Sequence, residues 1–328
     1  MIKTQANEAK LRQEENKPAG KVRVKPKGNS RGTKIFIVCM MAWPLLHFAV
    51  FWVYVNANTF YLTFFQWDPQ HAVYEWYGLQ RFKDILDSIF VNPDASIINY
   101  IKNSLWVFPV QNFIMLPLSF LLAFYLSKKM PAGGVFRVIF FLPSIISTVV
   151  LAKAYRYMFN SNFGPADALV EAIFGSSPDW FDSMGNWAMP LIFFFTVWSG
   201  LGYKMLLLQG AIERIPQEII EASKLDGVPL YRELFSITFP LVMPTLTTFF
   251  VTNTLAVFSY YMDPMLLGGE SGGVNGSTGT VALRVAYMMQ NGRAEDAAAF
   301  GLLFSLVGMP VVLFIKWMME KLTPDVEF

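Results

Sequence analysis

The 328-residue sequence has very few of the side chains that carry catalytic and metal-binding chemistry. It contains one cysteine, Cys39, and two histidines, His47 and His71. A single cysteine excludes an internal disulfide and a cysteine-rich metal site. No G-x-x-x-x-G-K-S/T phosphate-binding loop occurs either, so any nucleotide that the protein uses must bind to another chain. We therefore predict no catalytic site, no metal site and no cofactor in this chain.

Charge is also scarce. Charged residues make up 15% of the sequence and hydrophobic residues 54%, whereas a soluble domain carries about 25% charged residues. This deficit indicates a membrane protein, with the lipid bilayer as its surroundings. The net charge of +2 is too small to suggest a nucleic-acid partner.

Long uncharged segments are present instead, and a membrane-spanning helix needs about 20 mostly apolar residues. The segments are continuous rather than alternating, which favours helices over strands. The third segment is short and becomes a span only if Arg137 and Lys153 lie at its two ends. We predict an all-α membrane protein with six transmembrane helices. The uncharged runs are 35–67, 103–127, 138–152, 183–203, 234–262 and 297–315.

The distribution of basic residues predicts the orientation of these spans. If both termini are cytoplasmic, the inner segments carry 18 Lys and Arg and the outer segments carry 7, as the positive-inside rule requires. We therefore expect a multi-pass protein of the plasma or inner membrane with both termini in the cytoplasm. The predicted divisions are a disordered basic tail (1–34), the first span with an outer loop (35–99), a transmembrane core (100–322) and a short C-terminal tail (323–328).

The segment EIIEASKLDGVPLYRELFSITFP, residues 218–240, places charges between two apolar runs. Residues 217–226 are predicted to be helical, with Gly227 in the left-handed position after the helix and Pro229 at the start of the next one. The second helix would run from Leu230 straight into the fifth span. A helix on a lipid surface is the alternative, but such helices are rich in Lys and Arg. The acidic character of this one favours a protein partner.

Polar side chains within spans three, four and five are candidates for a solute pathway, because polar groups are costly in a bilayer. Asn253 and Tyr260 are spaced to share one helix face. The alternative is that the hydroxyls bond only to their own backbone and the aromatic rings only pack. A further pattern, GESGG at 269–273, matches the G-x-S-x-G of serine hydrolases. Ser271 has only His71 as a conceivable base and no preceding strand, so we expect a flexible outer loop there.

The sequence EASKLDGVPLYRELFSITFP resembles the EAA loop of ABC importer permeases, also called binding-protein-dependent transport inner-membrane components. Ser223 stands where the second alanine of the pattern is usual, and Val228 also replaces an alanine. Over about 100–320, further stretches resemble the carbohydrate-uptake, maltose-transporter-like branch. The matching loop residues are Glu221, Ala222, Asp226, Gly227, Ile237 and Pro240, and the further stretches are FRVIFFLPSIIS, YMFNSNFGPADALV, VWSGLGYKMLLLQGAIERIP and MLLGGESGGVNGSTGTVAL.

This resemblance implies a permease core at 100–322 with a cytoplasmic coupling loop at 213–236. It also implies three kinds of partner: a second homologous permease subunit, a dimer of ATPase subunits that bind ATP, and an extracytoplasmic solute-binding protein. ATP-driven closure of the ATPases would move the spans between inward-open and outward-open states. The expected ATPase-coupling residues are Glu218, Glu221, Ala222, Ser223, Asp226 and Gly227.

The same resemblance implies that the solute is a sugar, and an oligosaccharide is expected. A non-sugar solute such as a glycerol phosphate ester is the first alternative. An ATP-independent secondary transporter is the second, although no inverted repeat is evident and spans four to six lack Asp and Glu. The solute-contacting residues implied by the branch are Ser144, Thr148, Gly200, Tyr203, Asn253 and Tyr260.

Overall fold

Helices make up most of the chain in a computed structural model that describes residues 31–128, 131–181 and 187–323. The predicted basic tail therefore lies outside the described residues except for 31–34, which are helical. Residues 324–328 and the first four residues of the predicted fourth span also lie outside them. The structure divides into one unit that ends at Ala57 and another that begins at Asn58.

Sixteen α-helices are present in the described residues, and π-helical segments at Ala49–Tyr54, Val110–Met115 and Glu233–Thr238 join several of them. A short 3₁₀ turn covers Val274–Gly276. In chain order the helices are α1 (Arg31–Phe48), α2 (Val55–Phe64), α3 (Gln80–Phe90), α4 (Ala95–Pro109), α5 (Leu116–Ser127), α6 (Gly133–Ile145), α7 (Thr148–Met158), α8 (Pro165–Phe174), α9 (Ala188–Ile212), α10 (Gln217–Leu225), α11 (Leu230–Arg232), α12 (Phe239–Leu241), α13 (Met243–Ala256), α14 (Met262–Gly268), α15 (Val281–Gln290) and α16 (Ala294–Leu322).

Four of the described helices are long and apolar enough to cross a membrane, namely Gly32–Phe64, Ala95–Ser127, Ala188–Ile212 and Ala294–Leu322. Two further pairs pass the same test but are sharply bent. The angle is 103° between α6 and α7, and 72° between Leu230–Leu241 and α13. The structure thus has four to six candidate spans, which agrees with an all-α membrane protein.

The described part of the first unit consists of α1, the π-helical turn after it and the first three residues of α2. Its large apolar side chains, such as Phe36, Trp43 and Phe51, are exposed. Ring contacts at 5.0 Å between Phe48 and Trp52 run along the helix itself. Exposed apolar side chains on a long helix are what a lipid-facing span requires.

A small β-hairpin is the exception to the helical architecture, and it corrects the predicted end of the first span. The uncharged run was expected to continue to residue 67, but helix α2 ends at Phe64. Strand β1 (Phe65–Asp68) then pairs antiparallel with β2 (Val73–Trp76). Aromatic residues favour strands, and Asp68 Oδ1 accepts a hydrogen bond of 2.9 Å from the backbone of Gln70 at the turn.

The second unit has three apolar clusters. The first joins α5, α9 and the helices on either side of Val242, with Phe124, Met205 and Leu246 among its buried side chains. The second surrounds Phe195 of α9. The third joins α4, α15 and the beginning of α16. Helix α9 therefore contributes to two of the clusters and lies at the centre of the unit.

The glycine-rich loop 269–279 is anchored rather than flexible, contrary to expectation. The side-chain amide of Asn103 donates to three loop carbonyls, those of Gly276, Ser277 and Gly279, at 2.9–3.2 Å. The Tyr100 hydroxyl donates to the Ser271 carbonyl at 2.8 Å. A Cβ atom on Gly279 would lie 2.0 Å from the Tyr100 ring, so the absence of side chains lets the loop close over that ring. The glycines therefore serve packing, and the element directly before the loop is helix α14 rather than a strand.

Candidate functional site

A polar stripe runs along one face of α9. It consists of Thr196, Gly200 and Lys204, which are spaced by four residues and so lie one above another on the helix. The rest of α9 is predominantly apolar, and a polar group within an apolar span is costly unless it has a function or a partner. We call this set the α9 stripe.

Lys204 lies at the C-terminal end of the α9 stripe, where three helical segments meet. Its ammonium donates to Asn253 Oδ1 of α13 at 2.5 Å and lies 3.3 Å from the sulfur of Met115. The Asn253 amide in turn donates to the Gln111 carbonyl at 3.2 Å and to Asn112 Oδ1 at 3.3 Å. Gln111 and Asn112 belong to the π-helical segment, a type of turn that is frequent at functional positions.

Thr196 lies at the N-terminal end of the α9 stripe and contacts a second group of polar side chains. It hydrogen-bonds to the Tyr260 hydroxyl and donates to Asp263 Oδ2 at 2.7 Å. Asp263 lies beyond α13, and burial raises the pKa of its carboxyl, although the hydrogen bonds from Thr196 and Tyr260 act in the opposite direction. The Tyr260 ring stacks on Phe193 at 6.5 Å. An aromatic ring beside hydroxyl groups is a surface that suits a sugar.

The segment after α9 forms a helix, a tight turn and a second helix. Helix α10 ends with Gly227 in the left-handed conformation, at φ +67°. The Val228 N–H donates to the Ser223 carbonyl at 3.0 Å and the Gly227 N–H to the Lys224 carbonyl at 3.1 Å. This pair of hydrogen bonds is a Schellman motif. The local chemistry of the predicted C-cap therefore produces the turn that was expected.

The outer face of this segment is exposed and mixed in character. Glu218, Glu221, Ala222 and Asp226 are exposed. Leu225 beside them is 89% exposed. Exposed acidic groups around a large apolar side chain form a surface suited to a protein partner.

Two residues of the segment face inward instead. Ser223 is 6% exposed and its hydroxyl donates to the Ile220 carbonyl at 2.8 Å. Glu233 is 3% exposed and forms an ion pair with Lys128 at the end of α5. The Ser223 side chain thus lies on the opposite side from the exposed face, where its small size allows α10 to lie close to the rest of the protein.

The second helix of the segment continues from Leu230 to Leu241, so it reaches Pro240 as the sequence predicted, but the predicted fifth span 234–262 is bent beyond that point. Helix α12 is followed by a 72° bend at Val242. Pro244 lacks an N–H, and its ring would clash with the carbonyl of Pro240 in a straight helix. The bend is nevertheless packed, since Val242 is 2% exposed and its carbonyl accepts from the Leu246 N–H at 3.1 Å.

The family described as "Binding-protein-dependent transport system inner membrane component" matches residues 115–328, which is more than half of the chain. The chain belongs to this family. Together with its long apolar helices, this makes it a multi-pass inner-membrane component.

Curated members of the family show similarity over part of the chain. The maltose/maltodextrin transport system permease protein MalF of Salmonella typhimurium is 29% identical over 200 residues, 58% of this chain and 39% of MalF. MalF of Escherichia coli (strain K12) is 28% identical over 194 residues, 56% of this chain and 38% of MalF. The chain thus spans about two fifths of the length of these relatives.

Solved structures share the fold. A chain of a bacterial ABC transporter involved in the import of the acidic polysaccharide alginate superposes with a TM-score of 0.74 at 19% identity. The superposition covers 89% of this chain and 97% of that one. A second structure of a bacterial alginate ABC transporter, in complex with an alginate pentasaccharide-bound periplasmic protein, also gives a TM-score of 0.74 at 19% identity. Here 88% of this chain and 96% of the other are covered.

In the structure, the six residues that were expected to contact the solute do not form one site. Ser144 precedes the 103° bend and its hydroxyl bonds to the Phe141 carbonyl at 2.7 Å, whereas Thr148 follows the bend and is exposed. Pro143 and the extended backbone of Ile146 end α6 there. The predicted third span, 138–152, thus corresponds to a bent pair of helices, α6 and α7.

The other four expected residues lie along α9 or next to it. Gly200 faces Met115, because a Cβ atom at Gly200 would lie 2.2 Å from the Met115 methyl carbon. Tyr203 is 57% exposed and lies outside the α9 stripe. Asn253 and Tyr260 do not share a helix face, since α13 ends at Ala256, and they meet the stripe at opposite ends.

Three residues of the polar cluster around Asn253 were not predicted from the sequence, namely Gln111, Asn112 and Lys204. Gln111 and Asn112 lie in span two, in which no solute-contacting residue was predicted. Lys204 was predicted to lie near the inner end of span four. Helix α9 in fact continues to Ile212, so Lys204 lies within it. The signal was present as two neighbouring amides between Pro109 and Pro117 in an otherwise apolar run.

Proposed function

We propose that the chain is the permease subunit of an ATP-driven ABC importer that moves an oligosaccharide into the cytoplasm by alternating access. The observation that carries the proposal is the exposed helix–turn–helix segment 213–236, which is joined to α13 through a packed bend. Such a segment can receive movement from a soluble partner and pass it to a membrane helix. MalF relatives named for maltose and maltodextrin transport support a sugar as the solute.

The proposal includes the partners and the orientation. A second homologous permease subunit would complete the pathway, two ATPase subunits would bind ATP below it, and an extracytoplasmic solute-binding protein would deliver the solute. Both termini would be cytoplasmic, with each bent helix pair counted as one span to give six. The ATPase would be contacted or positioned by the exposed residues and the turn residue of this segment, namely Glu218, Glu221, Ala222, Asp226 and Gly227. Ser223 would support α10 on its buried side.

Reconstitution of the complete complex in proteoliposomes tests this function. Oligosaccharides that bind to the partner solute-binding protein are expected to enter the vesicles only when ATP is hydrolysed. Uptake without any ATPase subunit would instead indicate a secondary transporter. ATP-dependent uptake of glycerol phosphate esters, but of no sugar, would retain the importer and change its solute.

Reversal of one exposed charge tests the docking surface. Glu221→Lys is expected to weaken co-purification of the ATPase by roughly tenfold or more, because it places an unpaired charge in a protein interface. Glu171→Lys is the matched control, since Glu171 is equally exposed but lies on α8. Equal ATPase recovery with both variants would mean that the segment does not contact the ATPase.

A further inference from the structure

Lys204 is an ionisable side chain in the interior of a 25-residue apolar helix. It is eight residues from the end of α9, which corresponds to about 12 Å along the axis. Its ammonium is directed at Asn253 and Met115, both of which lie in membrane helices. A charged group at such a depth is costly, and in membrane proteins it usually marks a pathway and has a partner of opposite charge.

Within the described part of the chain, no carboxylate forms an ion pair with Lys204. Helix α9, the span Ala95–Ser127 and helix α13 contain no Asp or Glu at all. The acidic side chain at the other end of the α9 stripe is Asp263, which is held by Thr196. Thr196 lies eight residues before Lys204, about 12 Å along the helix. The partners that the structure gives the ammonium are thus a neutral amide and a thioether.

An ammonium group has three donors. One is taken by Asn253, and the thioether of Met115 is a weak acceptor. A strong acceptor could therefore still be bound. The neighbouring amide of Asn112 is not such an acceptor in this structure, because its Oδ1 already accepts from Asn253 and its Nδ2 is a buried donor without a hydrogen-bond partner among the described residues. Donors exceed strong acceptors in this cluster.

A cleft lies between α9 and α13, and its lining residues nearest to Lys204 along α9 are Leu206 and Leu207, while Lys204 itself does not line it. Its volume is about 560 Å³. Leu207 of α9 and Arg214, which follows the end of α9, line it on one side, and the hydroxyl-bearing Thr245 and Thr248 of α13 on the other. No acidic side chain lines this cleft. Cations and hydroxyl groups without carboxylates form surroundings that favour an anion with sugar-like hydroxyls.

We propose that Lys204 provides the counter-charge for an acidic group on the transported solute, so that the substrate class is an anionic saccharide such as an oligouronate. This assignment rests on the proposed importer function and narrows it. Asn253 positions the Lys204 ammonium. The solute carboxylate accepts a hydrogen bond from an ammonium N–H that has no strong acceptor among the described residues. Lys204 is then a specificity-determining residue.

The test uses the complete complex in ATP-containing proteoliposomes and two probes of equal length. One probe is an oligouronate and the other is the neutral oligosaccharide made by reducing its carboxyl groups. Lys204→Met, which keeps the length of the side chain without its charge, is expected to lower uptake of the acidic probe roughly 10- to 100-fold. Uptake of the neutral probe is expected to stay unchanged. Lys204→Arg should retain most of the acidic uptake, and Lys102→Met, at an exposed lysine of α4, should behave as wild type.

Each other outcome has a definite meaning. Equal losses of both probes in Lys204→Met would assign the lysine to packing or to a carboxylate of the second permease subunit, and would overturn the anion assignment. Preference of the wild type for the neutral probe would also overturn it, while the importer function would stand. Absence of ATP-dependent uptake of both probes, by a wild-type complex that imports another solute with ATP, would overturn the anion assignment and leave the importer function standing. Absence of ATP-dependent uptake of every solute that the partner solute-binding protein binds would contradict the importer function itself. If Lys204→Met does not assemble, Lys204→Gln replaces it in the same comparison.

Discussion

A Gly227→Val variant is expected to hydrolyse ATP while moving little solute. Gly227 adopts a positive φ of +67°, where a β-branched residue is strained. The left-handed conformation costs an ordinary L-residue about 1–2 kcal/mol, and valine more. The turn between α10 and α11 should therefore change shape, and the two helices should no longer move together. The measurement is the ratio of solute imported to ATP hydrolysed in proteoliposomes, which is expected to fall at least tenfold.

Two control variants separate coupling from general damage. Gly175 also follows a helix, has φ +78° and, like Gly227, has open space around its Cβ position. Gly175→Val should impose similar strain outside the segment and leave the ratio unchanged. Gly227→Asn should retain coupling, since asparagine tolerates the left-handed conformation. A normal ratio in Gly227→Val would contradict the coupling role of the turn.

Removal of the Lys128 charge is expected to destabilise the protein by about 3–5 kcal/mol, because it leaves the buried carboxylate of Glu233 unpaired. The Glu233 side chain is 5% exposed and that of Lys128 is 20% exposed. The Lys128 ammonium also lies 4.8 Å from the centre of the Phe124 ring. Thermal unfolding of Lys128→Met in detergent micelles should therefore begin well below the wild-type temperature.

A double variant and an exposed pair complete this experiment. Lys128→Met combined with Glu233→Gln should recover most of the stability, since no unpaired charge is then buried. Lys316 and Glu320 form a pair at 3.6 Å with both side chains more than half exposed. Lys316→Met should cost at most about 1 kcal/mol. If Lys128→Met unfolds at the same temperature as Lys316→Met, the Lys128–Glu233 pair does not hold α5 to the segment.

The buried pair has a functional consequence within the proposed importer. It connects the end of α5 with the residue at which α11 becomes π-helical. Movement of the segment would therefore reach span two as well as span five. This connection could not be predicted from the sequence, because 105 residues separate the two partners.

The candidate site could be predicted from the sequence only in part, because neighbouring residues reveal local structure but not contacts between distant segments. Gly227 was assigned correctly to a left-handed turn, because a C-cap is decided by a few neighbouring residues. Asn253 was correctly selected as a polar group within a span, but its partners were not foreseen. They come from two other helices, and contacts of that kind do not appear in the spacing of residues along one helix. The size of the bend between Ser144 and Thr148 could not be predicted for a different reason: an uncharged run has the same composition whether the helix is straight or bent.

Composition and local backbone preferences were enough to establish that this is a helical membrane protein, where most of its long helices lie and where the turn at Gly227 forms. These features depend on burial of apolar residues in lipid and on the conformational freedom of single residues such as Gly227. Tertiary structure decided the remaining features. These are the bends at Ile146 and Val242, the burial of the Ser223 and Glu233 side chains, and the contacts that bring Lys204, Asn253 and Asn112 together. Packing selects one geometry among several that the local sequence permits, because only contacts between distant segments distinguish their free energies.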